Sequence, residues 1–329
     1  MRVVEVTKYG GPEVLRVARA PEPVAGPGQV VIGVSVVDVM SIDAQLRAGW
    51  GRDWFPAEPP FVPGTGVAGP VVSVGDGVDG SWMGRRVAAL LPGGGAYAER
   101  AVAGVETLVE VPDEVSSRQA AALLQVGPAA LSLVGAAELK PGAKVLVTGA
   151  GGALGLAVVR LARAAGAHVT AAAHDPAKRR AAAAAGADDV VGYQEFPEAG
   201  SVEVVFDGVG GEVGGAAFEL LESGGRFFAY GVPSGSVALI DLAEAARRGV
   251  RIVGMEQVQF APDTFRELAG RALREAAAGR LVAEIGLEVP LERAAEAHAA
   301  LEGRRLVGKA LLLVSDQPVD PIAATSLPR

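Results

Sequence analysis

The sequence predicts an α/β protein in which a β-rich domain is combined with a doubly wound parallel sheet. Residues 1–115 consist of short apolar runs separated by Gly- and Pro-rich turns, which is typical of a compact, partly closed β-domain. From about Ser117 onward, strand-like runs alternate with Ala- and Leu-rich helical patterns, and this alternation indicates a parallel sheet. Because 329 residues exceed one ordinary core, we expect two domains.

The β-rich part is expected to contain six strands and one helix. The strands are predicted at residues 3–6, 14–17, 29–37, 67–74, 86–91 and 96–101. A short helix is predicted over Ser41–Ala48. It is followed by an irregular loop, residues 50–63, which carries the aromatic residues Trp50, Trp54 and Phe61.

The second part is expected to begin with two helices and to continue with six parallel strands. Pro128 is predicted to open the second helix, because proline is tolerated in a first helical turn. The helices are predicted over residues 117–126, 128–139, 263–278 and 291–302, and the strands at 144–148, 168–173, 188–191, 202–206, 225–230 and 250–254. A last strand, 308–314, is expected to return to the first domain. The predicted domains are residues 1–118 with 261–329, and residues 119–260.

A glycine-rich turn between a strand and a helix lies at the centre of the second part. Val145–Thr148 is a β-branched run that Gly149, Gly151 and Gly152 interrupt, and apolar residues recur with a helical period from Leu154 onward. Free amides at such a helix N-terminus can bind the pyrophosphate of a dinucleotide. A strict G-x-G-x-x-G is missing, so a tight turn that binds nothing is the alternative.

Composition and charge exclude several classes of function. The net charge of −8 and the isoelectric point near 5.1 argue against a nucleic-acid or anionic-membrane partner. The absence of cysteine excludes disulfides, thiolate metal sites and cysteine nucleophiles. We find no apolar signal core and no window of 18–20 apolar residues that would span a bilayer, and therefore expect a cytoplasmic protein.

Short motifs of one known family occur in order along nearly the whole chain. They are YGGPEVL (9–15), SIDAQLRAG (41–49), PGTGVAG (63–69), GRRVAAL (84–90), GGAYAE (94–99), QAAALLQVGPAAL (119–131), LKPGAKVLVTGAGGALG (139–155), AGADDVVGY (185–193), FDGVGG (206–211) and GKALLLV (308–314). With these motifs the chain resembles the zinc-free, zeta-crystallin-like quinone oxidoreductases of the medium-chain dehydrogenase/reductase superfamily. The resemblance implies a GroES-like β-domain built from both termini, a Rossmann domain, NADPH as cofactor and a homodimer.

The choice of NADPH also has support in the residues themselves. NAD-specific Rossmann domains place an acidic residue at the end of the second strand, where this chain has Ala173. Lys178 and the two arginines after it could pair with a 2′-phosphate, although they could equally form the solvated face of a helix, and Asp175 would oppose the phosphate. Together with the resemblance, the predicted cofactor-binding residues are Gly127, Thr148, Gly149, Gly152, Ala153, Leu154, Ala173, His174, Lys178, Tyr193, Gly208, Val209, Tyr230, Gly231 and Val232.

A metal site is not predicted. Zinc-containing members of the superfamily use Cys and His in the first domain, and this chain has Val37–Met40 where the first ligand would lie. Its histidines are His168, His174 and His298, all outside that part of the chain. His298 lies alone in a predicted helix, and we interpret it as a packing residue.

The catalytic residues cannot be assigned from the resemblance, because the family's cleft asparagine is Met40 here and the tyrosine that related reductases use falls on Gly51. Asp43 and Arg47 are weak candidates, since they could instead form an exposed i,i+4 pair. The expected substrate pocket comprises Met40, Trp50, Trp54, Phe61 and Met255, although the aromatic residues could merely pack the loop.

The sequence thus predicts an oxidoreductase that transfers a hydride from NADPH to a quinone, enone or other conjugated carbonyl without metal. Two alternatives stay open: a pathway-dedicated enoyl-thioester reductase or cyclase, and an NADPH-binding protein with little turnover. The expected partner is a small-molecule substrate. Residues 251–255 form the expected sheet edge, so that pairing across a two-fold axis would produce a homodimer.

Overall fold

The computed structural model describes residues 1–51, 57–195 and 200–314, which divide into two compact units. Unit 1 contains residues 1–124 together with the C-terminal segment that starts at Ile285, and unit 2 contains residues 125–284. The division differs from the predicted boundaries, because residues 119–124 belong to unit 1 and residues 261–284 belong to unit 2. The chain enters unit 1 again only with the strand that begins at Ile285.

The described residues form sixteen strands and eight α-helices. The strands are β1 (Arg2–Val6), β2 (Leu15–Arg19), β3 (Gln29–Gly33), β4 (Val36–Val39), β5 (Gly66–Val74), β6 (Arg86–Leu90), β7 (Arg100–Gly104), β8 (Leu108–Glu110), β9 (Lys144–Thr148), β10 (His168–Ala172), β11 (Asp189–Val191), β12 (Val202–Asp207), β13 (Leu221–Ala229), β14 (Arg251–Val253), β15 (Ile285–Pro290) and β16 (Lys309–Leu313). The helices are α1 (Ser41–Ala48), α2 (Ser117–Ala136), α3 (Ala153–Ala164), α4 (Pro176–Ala184), α5 (Gly211–Glu219), α6 (Leu242–Arg247), α7 (Pro262–Ala277) and α8 (Ala294–Glu302).

Unit 1 is built around an eight-stranded sheet. The strands follow the order β15-β16-β4-β5-β3-β7, with β6 paired to β5 and β8, while β1 and β2 form a separate hairpin. Its core is a cluster of small branched side chains such as Val30, Val37 and Val67, together with the buried ring of Tyr97. β16 pairs antiparallel with β4, which confirms that the last strand returns to the first domain.

Unit 2 contains a six-stranded parallel sheet of the predicted doubly wound class. The strand order is β11-β10-β9-β12-β13-β14, and every neighbouring pair is parallel. β9 and β10 are buried because each lies between two other strands, which explains their nearly continuous apolar sequences. The order reverses between β9 and β12, and α/β proteins bind ligands at the carboxyl ends of the strands at such a point.

Several predicted elements differ from the structure. The single strand expected over residues 29–37 is two strands, because the amide of Val34 bonds to Glu99 while that of Ser35 bonds to Ala68. The strand expected at 96–101 begins only at Arg100. β8, β15, α5 and α6 were not predicted. α5 contains three glycines in nine residues, so its helical propensity is low and tertiary packing must stabilise it.

The prediction of two helices around Pro128 is wrong, since α2 runs through this residue as one helix. A proline inside a helix removes one hydrogen bond, and burial of the apolar side chains on both sides of Pro128 offsets that loss. α2 also contradicts the expectation that no segment is apolar enough to span a bilayer. It has 20 residues, and its apolar window, with a mean hydropathy of 1.3, could cross a membrane by length and composition alone. Two-thirds of that window (67%) is buried inside the protein, as in the core helix of a globular domain.

Candidate functional site

The turn between β9 and α3 leaves a helix N-terminus open. Gly149 has a φ of +67°, a conformation that glycine adopts without strain. A side chain at Gly155 would overlap the carbonyl oxygen of Gly149, so the turn and the helix are in close backbone contact. The N-cap residue, Gly152, has no side chain to cap the first amides. These amides and the helix dipole therefore favour an anion at this position.

A lysine side chain lies directly over this turn. An added Cβ at Gly151 would overlap the Lys178 side chain and would lie 2.9 Å from its Cδ. Lys178 Nζ is 3.9 Å from Oδ2 of Asp175. The other oxygen of Asp175 accepts the Lys178 backbone amide at 2.9 Å and so caps α4. Asp175 is thereby held at the terminus of α4, and one of its two carboxylate oxygens already accepts a backbone hydrogen bond.

Residues at the end of β10 surround the same turn. Ala173 is buried, and the exposed His174 has its ring 6.4 Å from that of Tyr193. Tyr193 hydrogen-bonds to the backbone of Gly149, and burial raises the pKa of its hydroxyl. The structure thus brings Gly149, Ala173, His174, Lys178 and Tyr193 together on one side of the glycine turn.

A buried carboxylate organises the end of β12. Asp207 accepts a hydrogen bond from the Thr148 hydroxyl at 2.6 Å and from the amides of Val209 and Gly210 at 3.1 Å. Thr148 in turn accepts the amide of Gly208 at 3.1 Å. The carboxyl ends of β9 and β12 are therefore joined by side chains. Asp207 was not predicted as a site residue, although a lone acid after an apolar strand in the FDGVGG motif was a readable signal.

The end of β13 completes this edge of the sheet. The Tyr230 hydroxyl donates to the carbonyl of Thr148 at 2.9 Å, and burial raises the pKa of this hydroxyl. A Cβ at Gly208 would lie 2.5 Å from the Tyr230 hydroxyl, and one at Gly231 would lie 2.9 Å from the Gly208 carbonyl oxygen. Glycine is required at both positions because the three strand ends touch.

The remaining predicted cofactor residues lie on the same unit. Ala153 and Leu154 form the first turn of α3, and Val232 begins the exposed loop after β13. The amide of Ser234 in this loop bonds to the Val209 carbonyl at 3.1 Å. Gly127 is buried within α2.

The two candidate catalytic residues lie inside unit 1, so the interpretation as an exposed ion pair is wrong. Asp43 and Arg47 are both buried, and neither bonds to the other. Asp43 Oδ2 accepts the amide of Met40 at 2.9 Å and the hydroxyl of Tyr97 at 3.3 Å. Arg47 bonds to the Glu302 carboxylate and to a carbonyl of its own helix.

A chain of buried polar groups extends from Asp43. The Tyr97 hydroxyl lies 2.9 Å from Nε2 of His298, and because Tyr97 donates to Asp43, Nε2 must carry the hydrogen. Burial raises the pKa of Asp43 to about 7. Burial, together with the positive charge of Arg47, lowers the pKa of His298 to about 3. His298 is therefore part of a polar network as well as of the packing.

A second buried pair lies beside this chain. Lys309 forms an ion pair with Asp38, and its Nζ lies 3.1 Å from Sδ of Met40. Sequence reasoning missed Tyr97, Asp38 and Lys309. Charged residues within the apolar strands VVDV and KALLL were the available signal for the last two.

The predicted pocket residues are in several environments. Trp50 is half exposed (51%) and Met255 is exposed on a turn after β14, while Phe61 packs on the core of unit 1. Trp54 lies outside the described residues. Among residues 1–51, 57–195 and 200–314, no three His, Cys, Asp or Glu side chains are grouped so that they could hold a metal ion.

Both parts of the chain match known families. Residues 26–113 match the alcohol dehydrogenase GroES-like domain, and residues 153–274 match a family described as zinc-binding dehydrogenase. The chain is 31% identical to a probable quinone oxidoreductase of Schizosaccharomyces pombe over 336 residues, covering 97% of this chain and 98% of that protein.

Solved structures are similar over almost the entire length. A quinone oxidoreductase of Escherichia coli complexed with NADPH matches with a TM-score of 0.85 and 26% identity, covering 95% of this chain and 100% of that one. A structure described as an NAD-dependent alcohol dehydrogenase matches with a TM-score of 0.86 and 30% identity, covering 96% of this chain and 100% of that one. The descriptions of these two neighbours name different cofactors, NADPH for the first and NAD for the second.

Proposed function

Because this chain belongs to the quinone oxidoreductase family, we propose that it transfers a hydride from NADPH to a quinone or another conjugated carbonyl without a metal ion. The observation that carries the proposal is the open glycine turn before α3 with Lys178 lying over it. The turn suits a pyrophosphate and the lysine suits an additional phosphate.

The cofactor fits the residues present. The amides of Ala153 and Leu154 would bind the pyrophosphate, since no side chain caps this helix. Glycine at 149, 208 and 231 allows the three strand ends to meet, because a Cβ at any of these positions would contact a neighbouring strand end.

Preference for NADPH follows from the end of β10. Ala173 cannot bond to the ribose hydroxyls as the acid of an NAD-specific domain does. Lys178 would bind the 2′-phosphate, with Tyr193 and His174 beside it. The carboxylate of Asp175 is occupied by the amide of Lys178, which reduces its competition for the phosphate.

The reaction needs few groups from the protein. NADPH, when bound, would supply a hydride, which together with one proton from solvent would convert a quinone to a hydroquinone and leave NADP⁺. Met40, which stands where the family has an asparagine, offers only a thioether sulfur, a weak acceptor. Protonation by water is therefore the step that we propose for the product oxyanion.

Zinc does not fit this chain, in spite of the description of one matching family. Zinc sites use Cys, His or carboxylate ligands in a tetrahedral group, and the sequence contains no cysteine. We propose that the activity is independent of zinc, and that activity survives dialysis against a chelator.

We also propose a homodimer that forms through β14. This strand is at the edge of the unit 2 sheet, and Ile252 on it is partly exposed, as are Val237, Leu239 and Leu242 in the preceding segment. An unpaired strand edge with apolar side chains favours pairing with a second copy. A mass measured by light scattering that corresponds to one chain at micromolar concentration would refute the dimer.

We propose a cytoplasmic location. α2 is long and apolar enough to cross a membrane, but most of it is buried inside the protein and is therefore not available to lipid. Cell fractionation tests this proposal. Recovery in the membrane pellet after a high-salt wash would contradict it.

Calorimetric titration tests the cofactor proposal. Loss of one charge-assisted contact costs about 1.5–3 kcal/mol, so Lys178→Ala should weaken NADPH about tenfold or more while NADH binding stays unchanged. Lys140→Ala, an exposed lysine elsewhere in unit 2, is the matched control. Equal affinity of the wild-type protein for NADH and NADPH would overturn the preference.

Turnover is tested by following NADPH absorbance with quinones, enones and enoyl thioesters. The proposal expects oxidation of NADPH with quinones or enones. If NADPH binds but no compound is reduced, the protein binds the cofactor without acting as a reductase.

A further inference from the structure

We propose that Ser132 and Gln257 are positioning residues that hold the turn beside the nicotinamide half of the cofactor, an inference that rests on the function proposed above. Both residues belong to unit 2, and 125 positions separate them in the sequence. Ser132 was not predicted as a site residue.

The two residues bond to each other reciprocally. The Ser132 hydroxyl donates to the backbone carbonyl of Gln257 at 2.9 Å, and the same hydroxyl accepts from the Gln257 side-chain amide at 2.8 Å. That amide also reaches the Ser132 carbonyl at 3.4 Å. One serine side chain therefore holds both the backbone and the side chain of Gln257.

The segment held in this way is a short 3₁₀ turn, Met255–Val258, which directly follows β14. Its N-cap residue is Gly254, which has no side chain to cap the turn, and Met255 and Glu256 at its start are exposed. Ser132 lies on α2, whose neighbouring residues Leu131 and Leu133 are buried. The pair thus attaches an exposed turn to a buried helix.

The position of the turn on the sheet indicates what it faces. In a dinucleotide-binding sheet the adenosine ribose lies at the end of the second strand, here β10, and the pyrophosphate at the turn after the first, here β9. The other half of the cofactor must then extend across the carboxyl ends of β12, β13 and β14. The turn after β14 is therefore a boundary of the nicotinamide site, and its position affects that half of the cofactor alone.

The test separates the two halves of the cofactor. We would measure, by calorimetry, the affinity of NADPH and of 2′,5′-ADP, which keeps the adenosine half and lacks nicotinamide, and record kcat with a quinone. The variants are Ser132→Ala, Gln257→Ala and their combination, with Ser132→Thr to restore the hydroxyl. The exposed Gln259→Ala is the matched control.

Loss of Ser132 or Gln257 is expected to weaken NADPH about fivefold or more and to lower kcat, while 2′,5′-ADP binds as to the wild type. The double variant should resemble Ser132→Ala, which already removes both bonds of the hydroxyl, whereas Gln257→Ala keeps the bond from the Ser132 hydroxyl to the backbone carbonyl of residue 257. Ser132→Thr should bind NADPH within about twofold of wild type.

An equal loss of affinity for both ligands, together with a lower melting temperature, would show a merely structural role and overturn the inference. Unchanged NADPH affinity and kcat in both single variants would also overturn it. If the wild-type protein binds neither ligand, the proposed function itself fails. If the wild-type protein binds both ligands and the variants bind NADPH equally well, only the positioning role of Ser132 and Gln257 fails.

Discussion

Asp43 and His298 are predicted to have opposite effects on the pH dependence of stability. Burial raises the pKa of Asp43 from 3.8 to about 7, so the folded protein holds this proton more tightly than the unfolded chain. Stability contributed by Asp43 is complete below pH 3.8 and is lost as the pH rises to 7. At one pKa unit per 1.36 kcal/mol, the loss is about 4 kcal/mol.

His298 acts in the other direction. Its pKa falls from 6.5 to about 3 because of burial and the nearby Arg47, so the unfolded chain binds the proton more tightly. Stability from His298 is complete above pH 6.5 and is lost as the pH falls toward 3. Between about pH 4 and 6.5 the two slopes, each about 1.4 kcal/mol per pH unit, cancel in the wild-type protein.

Substitution of either residue should expose the slope of the other. Asp43→Asn keeps an oxygen that can accept the Met40 amide, and its stability relative to wild type should rise by about 3 kcal/mol between pH 4 and 6.5. His298→Gln should show a fall of similar size. The other charges near this pair, Asp38 and Lys309, are present in all variants and do not enter the difference.

Urea unfolding followed by tryptophan fluorescence measures this effect in unit 1. All three tryptophans, Trp50, Trp54 and Trp82, precede residue 125, so the signal reports that unit. Asp76→Asn, at an exposed turn, is the control and should give a constant difference from wild type. The reasoning is refuted if the curves of Asp43→Asn and His298→Gln run parallel to that of the wild type over this range.

Three further predictions concern unit 2. Gly155→Ala should weaken NADPH at least about tenfold in calorimetry, because the new methyl group overlaps the Gly149 carbonyl oxygen, and wild-type affinity would contradict this account. Asp207→Asn should lower the free energy of unfolding by about 2 kcal/mol in urea monitored by circular dichroism, since an amide nitrogen would face the Thr148 hydroxyl or the turn amides. Tyr230→Phe loses one buried hydrogen bond and should lower the free energy of unfolding by about 1 kcal/mol, measured by the same method. An unchanged free energy of unfolding would show that the bond to the Thr148 carbonyl does not stabilise the protein.

Elements of both units could be predicted where their signals are local. β9 and α1 begin and end where their residues predict, since a β-branched run stopped by glycine and an apolar helical period need no distant partner to be recognised. The Lys178 side chain lies close to Gly151 of the glycine turn, because parallel strands bring their carboxyl ends to one edge of the sheet.

Where prediction failed, the deciding contacts are distant in sequence. α2 continues through Pro128 because it is buried on both sides of the proline, which the local penalty of proline does not reveal. Asp43 and Arg47 look like an exposed pair from their spacing, but α1 packs against α8, and that packing buries both.

The sequence by itself determined the fold class, the family and the glycine turn for a dinucleotide, because these depend on periodicity, residue order and the conformational freedom of glycine. Only the tertiary structure decided that Asp43, Tyr97 and His298 form one buried chain and that Ser132 holds the turn at Gln257. The physical reason is that protonation and positioning depend on burial and on partners up to 201 residues apart, which no local pattern encodes.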